Sequence, residues 1–340
     1  MTDASNRDAS NPEASNSTAA PYRLHRSSLF VPATSGRFFA KGAASEADGI
    51  ILDLEDAVSP DRKDAAREAA VAALNEIDWG RKIMTVRVNG VESGLTYKDV
   101  TALAENCPRL DMIKLPMVNG PDDVRFVSTL LEQIERGLGR ARAILIECII
   151  ETPLGMENVS EIARAGGRLE GLSFGAGDYA AAMKMPNRSV GKPDPDYAIA
   201  APGESAGGGG LGAARHLLDP WHFAMARLAN ACRAHGLRPQ DSAYADFKDA
   251  EGYRSACLRA AVLGFEGKSC IHPSQIGIAN EVFSPSPEQV AWARELMAAM
   301  NASLEGGQGA VAMGGEMVDL ANIKMAENIL AKQAAIEGGT

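Results

Sequence analysis

From Tyr22 onward, short runs of β-branched and apolar residues alternate with longer stretches in which apolar residues recur at helical spacing. The runs Ser28–Val31, Gly49–Leu54, Ile83–Val88, Met112–Leu115, Ile144–Ile150, Leu172–Phe174, Asp241–Ala245 and Gly267–Ile271 predict eight strands, the seventh from the weakest pattern. Between them the pattern predicts helices over Phe38–Ala44, Asp61–Leu74, Tyr97–Glu105, Pro121–Gly137, Met156–Ala165, Asp219–His235 and Ala250–Leu263. Pro121 sits where a first helical turn accepts proline, and Asp219–Pro220 reads as an N-cap and N1 pair. Strands alternating with helices in this number predict an α/β fold, a (β/α)8 TIM barrel. An open doubly wound sheet is the alternative. No Gly-x-Gly-x-x-Gly turn follows the first strand and no Walker loop occurs, which weighs against a dinucleotide or nucleotide fold.

The flanks read differently. Residues 1–21 repeat small polar types with almost nothing apolar to bury, and are expected to be a disordered tail. The barrel is expected over residues 22–285. Within it, Pro186–Leu218 is an irregular insert with glycines at 207–210, and a loop of that length is functional or disordered. Residues 286–340 form a C-terminal segment. A capping box at Ser286–Gln289 opens a helix to Met300, Gly306–Gly315 is flexible, and a last helix covers Ala321–Ala335. This piece is too small for a core of its own and is expected to pack on the barrel or on a neighbouring subunit.

The net charge of −10 weighs against nonspecific binding to nucleic acid or an anionic membrane. No apolar run approaches the roughly 20 residues of a membrane helix, and no charged-then-apolar signal pattern opens the chain. The five cysteines (Cys107, Cys148, Cys232, Cys257, Cys270) are scattered without a CxxC pair, which speaks against a zinc site or a disulfide framework. A cytoplasmic protein is expected.

Active sites of such barrels sit at the carboxyl ends of the strands. Those ends carry Glu55, Asp56, Arg87, Glu151, Asp178, Asp246 and His272. Glu151 closes the long fifth strand, and Asp178 follows the sixth after a glycine turn. Two carboxylates in one mouth suit a hard cation such as Mg2+, which takes one or two carboxylates plus substrate oxygens. Alone, Glu151 would equally be a surface strand end and Asp178 a turn residue. The forked donors of Arg87 suit a carboxylate or a developing enolate oxygen. They would also serve a structural ion pair with Glu55 or Asp56. Arg37 and Lys41 beside Phe30, Phe38 and Phe39 could hold phosphates and stack an adenine, although composition alone favours a solvated helix face.

Six stretches together resemble the citrate lyase β-subunit-like family, the HpcH/HpaI aldolase superfamily. They are Leu29-Phe-Val-Pro32, Ile51-Leu-Asp-Leu-Glu-Asp-Ala57, Val86-Arg-Val-Asn-Gly90, Ile150-Glu-Thr-Pro-Leu-Gly155, Gly175-Ala-Gly-Asp178 and Ile271-His-Pro273. Asp78-Trp-Gly-Arg-Lys82, Asp219-Pro-Trp-His222, Ala231-Cys-Arg-Ala-His-Gly236 and Met317-Val-Asp-Leu-Ala-Asn-Ile-Lys324 are most similar to the members that cleave malyl-CoA. The resemblance implies a carbon–carbon lyase that uses Mg2+ or Mn2+ on a CoA thioester. It would split malyl-CoA, or β-methylmalyl-CoA, to acetyl-CoA or propionyl-CoA and glyoxylate. It also implies a homotrimer or homohexamer whose C-terminal segment caps a neighbour's site as a lid, and the charge and hydropathy leave no nucleic-acid or membrane partner expected. By the same resemblance, Glu151 and Asp178 are metal ligands, Arg87 and Asp319 are catalytic, and Phe30, Lys41, Arg87, Gly177, Asp178, Ile271 and His272 line the CoA or substrate. Asp319 would also serve as the N-cap of the last helix. Two positions depart from the pattern: Ser35 stands in place of an arginine and Met117 in place of a lysine. A citramalyl-CoA lyase, a malyl-CoA thioesterase and a non-catalytic subunit of a lyase complex are the alternatives.

Overall fold

Alternation along each strand sends its side chains to two different places. The computed structural model describes residues 23–186, 189–194, 196–200, 215–305, 311–313 and 316–338. Eight parallel strands close into one barrel: β1 (Ser27–Pro32), β2 (Gly49–Asp53), β3 (Ile83–Arg87), β4 (Met112–Leu115), β5 (Leu145–Ile150), β6 (Leu169–Phe174), β7 (Arg238–Asp241) and β8 (Gly267–Cys270). Each pairs with its sequence neighbours, and β1 closes on β8 with Ser27 opposite Lys268. One set of side chains, including Ile50, Leu52, Val86, Ile113, Leu115, Ile146, Cys148, Ile150, Leu172 and Phe174, joins the helices in the main hydrophobic core. The intervening positions hold Asp53, Thr85, Lys114, Glu147, Ser173 and Gln240, all buried. They face the barrel interior alongside Ile51, Met112 and Ile149, so that interior mixes polar with apolar side chains.

The barrel helices are α1 (Phe39–Ala43), α2 (Lys63–Glu76), α3 (Thr96–Asn106), α4 (Pro121–Leu138), α5 (Pro153–Glu157), α6 (Val159–Ala163), α7 (Ala176–Ala182), α8 (His222–Ala234), α9 (Ala250–Val262) and α10 (Ile276–Val282). The helix expected over Met156–Ala165 is two short ones, and Asp219 precedes α8 without being its N-cap residue: its Oδ1 accepts from Trp221 N at 3.0 Å. Pro121 opens α4 as expected. The seventh strand lies three residues before its expected place. Asp241–Ala245 carries the more apolar residues, but the paired segment is Arg238–Asp241. Its Pro239 lacks an N–H and hides the strand from composition, yet its carbonyl accepts from Glu266 N at 3.0 Å.

The expected tail lies outside the described residues, as does most of the insert, with glycines 207–210. The described part of the insert includes an antiparallel pair, Ala198–Ala200 with Arg215–Leu217. The chain separates into two compact units, one of them His25–Pro285 and the other containing the segment from Ser286. In that segment Ser286 and Gln289 exchange the expected capping bonds, Ser286 N to Gln289 Oε1 at 2.8 Å and Gln289 N to Ser286 Oγ at 3.2 Å. Helices α11 (Pro287–Glu305) and α12 (Leu320–Glu337) pack through Ala293, Leu296, Met300 and Ala326. The stretch expected to be flexible contributes a strand, Val311–Met313, paired with Glu316–Val318. All five cysteines are free and buried. No helix among the described residues is long and apolar enough to cross a membrane.

Candidate active site

The carboxyl ends of the strands open on a cavity of about 480 Å3. Register places Asp53, Arg87, Lys114 and Glu147 side by side on β2 to β5. Arg87 Nε donates to Asp53 Oδ1 at 2.7 Å and Nη2 to Asp53 Oδ2 at 2.6 Å, a fork-to-fork pair. Arg87 Nη1 meets Glu55 Oε2 and Asp56 Oδ2, each at 2.9 Å. The guanidinium carbon lies 5.1 Å from the centroid of the Phe30 ring. Burial opposes the charge on Arg87, but the hydrogen bonds and charge of Asp53, with Glu55 and Asp56, hold its proton more tightly than usual. Burial pushes the Glu55 carboxyl up to about 7, with Arg87 opposing and Asp56, Asp53 and Asp178 reinforcing. The structural pairing considered as the alternative for Arg87 is present with both Glu55 and Asp56, and a further pair, to Asp53, is the bidentate one. Asp53 ends a strand as the apolar pattern ends, and a single acid before Leu54-Glu55-Asp56 carries no signal of its own. Lys114 is paired with Glu147 inside the barrel, and Ser173 Oγ donates to the same Glu147 Oε1 at 2.8 Å. Lys114 and Ser173 line the cavity. Each sits singly inside an apolar run, and only the inward parity of its strand could have singled it out.

Across the mouth, Glu151 follows β5 and Asp178 lies in the first turn of α7, and both line the cavity. Glu151 is 4% exposed. Its Oε1 accepts from Met117 N at 2.7 Å, so the residue standing in place of a lysine contributes through its backbone, which has φ 55°. Burial pushes the Glu151 carboxyl up to about 8; the Met117 bond opposes, Asp178 and Glu55 reinforce, and Arg87 opposes. Glycine at 175 makes room for this carboxylate. A Cβ there would stand 2.5 Å from Glu151 Oε2.

Phe30, Gly177 and Ile271 also line the cavity. His272 follows Ile271, but its ring stacks on Phe247 at 4.6 Å and its Nδ1 accepts from Ser274 N at 3.2 Å. Lys41 is exposed on α1 and is not among the residues lining the cavity. Arg37 lies 4.7 Å from the Phe38 ring centroid, a cation beside an aromatic as its sequence suggested. Asp246 is no strand end. It lies beyond β7 and pairs with Lys192 at 2.8 Å. Asp319 belongs to the C-terminal segment, where its side chain accepts from Ala321 N at 2.8 Å as the N-cap of α12.

No group of three or more His, Cys, Asp or Glu side chains able to hold a metal ion occurs among the described residues. A Mg2+ site does not require one, since one or two carboxylates with substrate oxygens and water complete it. The observation that fits a cation here is the donor set: Glu151, which is buried, and Asp178 line one cavity with hard carboxylate oxygens, and Met117 N holds Glu151 Oε1 in place.

A closed α/β barrel with an arginine and acidic side chains at its carboxyl-end mouth defines a TIM-barrel enzyme. The chain belongs to the HpcH/HpaI aldolase/citrate lyase family, whose sequence model matches residues 26–273, and is a carbon–carbon lyase. It is 43% identical over 315 residues to the L-malyl-CoA/beta-methylmalyl-CoA lyase of Cereibacter sphaeroides, covering 92% of this chain and 96% of that protein. It is 36% identical over 311 residues to a (3S)-malyl-CoA thioesterase of the same species, covering 92% and 95%. Among solved structures it is similar to CitE of Mycobacterium tuberculosis in complex with magnesium, acetoacetate and coenzyme A. There the TM-score is 0.69 and the identity 28%, with 91% of this chain and 97% of that chain covered.

Proposed function

We propose that the protein catalyses the reversible, Mg2+-dependent cleavage of malyl-CoA to acetyl-CoA and glyoxylate, and of β-methylmalyl-CoA to propionyl-CoA and glyoxylate. The observation that carries this reading is the gathering of Arg87, Glu151 and Asp178 around one cavity. The 43% identity to a lyase of that name supports the substrate. Glu151 and Asp178 would hold the Mg2+. When bound, the ion would supply Lewis acidity and a template for the carboxylate and carbonyl oxygens of glyoxylate. Arg87, its plane fixed by Asp53, stabilises the enolate oxygen of the acyl-CoA. Asp319, carried on the C-terminal segment, takes the α-proton in condensation and returns it in cleavage. Phe30, Lys41, Gly177, Ile271 and His272 contact the CoA thioester or the substrate. The protein works as a homotrimer or homohexamer whose C-terminal segment serves as a lid on a neighbouring subunit, and light scattering reads the copy number.

The test is purified protein with malyl-CoA and Mg2+, trapping glyoxylate as its phenylhydrazone while free thiol is followed. Glyoxylate without thiol is the expected result. Thiol without glyoxylate means hydrolysis, as the name of the 36% identical relative would have it, and overturns the reading. Neither product leaves citramalyl-CoA and then a non-catalytic subunit.

A further inference from the structure

Three consecutive residues early in the insert, Val190, Gly191 and Lys192, are each fixed by a different anchor. The Val190 carbonyl accepts from Ala245 N at 3.3 Å. Gly191 has φ +84°, and a Cβ there would stand 3.1 Å from both the Ala243 carbonyl oxygen and the Tyr244 ring. Only glycine allows the chain to turn there this close to its neighbours. The Lys192 carbonyl accepts from the buried Trp221 indole at 3.2 Å, and Lys192 Nζ pairs with Asp246 at 2.8 Å and Asp249 at 3.2 Å. The side chain of Val190 lines the cavity. It stands against α7 so closely that a Cβ on Gly177 would be 3.3 Å from Val190 Cγ2. Gly177 directly precedes Asp178. Val190 is therefore a branched residue fixed in the wall of the cavity that Glu151 and Asp178 line, and its anchors leave it little freedom to retreat.

We propose that Val190 is a specificity-determining residue that limits the group borne on the carbonyl carbon of the 2-oxo acid. Hydrogen is accepted there, as in glyoxylate, and methyl is opposed, as in pyruvate. The inference rests on the malyl-CoA cleavage proposed above. In the condensing direction, the α-carbon of acetyl-CoA gives up a proton and bonds to the carbonyl carbon. The carbonyl oxygen takes up a proton and becomes the hydroxyl. The substituent on that carbon meets the wall during bond formation. One methyl group in an apolar pocket is worth about tenfold to about 200-fold in kcat/KM.

The experiment compares glyoxylate with pyruvate as acceptors of acetyl-CoA, with Mg2+, within single preparations of wild type, Val190→Ala and Val190→Ser. A ratio within one preparation does not depend on the fraction of active protein, and two shortened side chains guard against one failing to fold. The expected result is a rise of about tenfold or more in the pyruvate-to-glyoxylate ratio of kcat/KM. The ratio of propionyl-CoA to acetyl-CoA with glyoxylate should stay within about twofold, a difference well below one methyl group. An unmoved oxo-acid ratio, or a shift in the acyl ratio in its place, overturns the assignment of Val190 while leaving the proposed activity standing. Wild type that condenses neither oxo acid overturns the activity itself.

Discussion

At the scale of single residues, the site depends on two close fits. Glu151 occupies space that any side chain at position 175 would claim. Gly175→Ala is expected to displace the carboxylate and weaken Mg2+ binding at least about tenfold, roughly 1.4 kcal/mol, with the far-ultraviolet circular dichroism unchanged. Calorimetric titration of Mg2+ reads it, and unchanged affinity would remove Glu151 from the metal site. The second fit is Asp53 under Arg87. Asp53→Ala strands a buried guanidinium, and breaking a buried pair in this way costs about 3–5 kcal/mol. Glu55 and Asp56 remain beside Arg87, so a loss near about 3 kcal/mol is expected by urea unfolding. Asp53→Asn keeps the shape and is expected to lower kcat about 100-fold, within the range for a lost electrostatic contact. KM should change less. An equal effect on both would make Asp53 a scaffold residue only.

At the scale of elements, α12 tests a dual role. Asp319 caps that helix through Ala321 N, and Asn322 Oδ1 accepts from Asp319 N at 2.9 Å. Asparagine is as good a cap as aspartate, and alanine costs about 1 kcal/mol. Asp319→Asn is therefore expected to melt like wild type while losing the exchange of acetyl-CoA α-protons with deuterium oxide. Asp319→Ala should lose both. Exchange that survives in Asp319→Asn assigns the proton transfer elsewhere. The same scale shows what was legible in advance. Seven strands were plain because burial on both faces makes a parallel strand rich in apolar residues, as at Ile50–Leu52. Strand β7 was not, because Arg238-Pro-Gln-Asp241 carries charge and proline, and its place is decided by pairing with β6 and β8. Glu151 and Asp178 were visible as acids just after strands. Asp53 and Lys114 were not, since their meaning comes from cross-strand register, which no local pattern encodes.

At the scale of the whole molecule, the proposed metal site would link Mg2+ binding to stability. The Glu55 and Glu151 carboxyls are raised to about 7 and about 8 from an ordinary 4.5. The native state therefore binds these protons more tightly than the unfolded chain. Their contribution to stability is complete below pH 4.5 and is lost as pH rises through about 7 and 8. Mg2+ takes the ionised form, so it should bind more tightly and raise Tm by more as pH rises through about 8. Thermal melts with and without Mg2+ between pH 6 and pH 8.5 read this, and a Tm increment independent of pH would refute the proton displacement.

The five buried cysteines bear on how the reaction can be watched. Burial pushes the thiols of Cys232, Cys257 and Cys270 up to about 12 and that of Cys107 to about 11, and Cys148 rises as well. Thiols both enclosed and protonated are poor nucleophiles. The folded protein should be colourless to an aromatic disulfide reagent until denaturant exposes all five. In the native enzyme, any yellow that develops with a CoA thioester belongs to the cofactor's own sulfur.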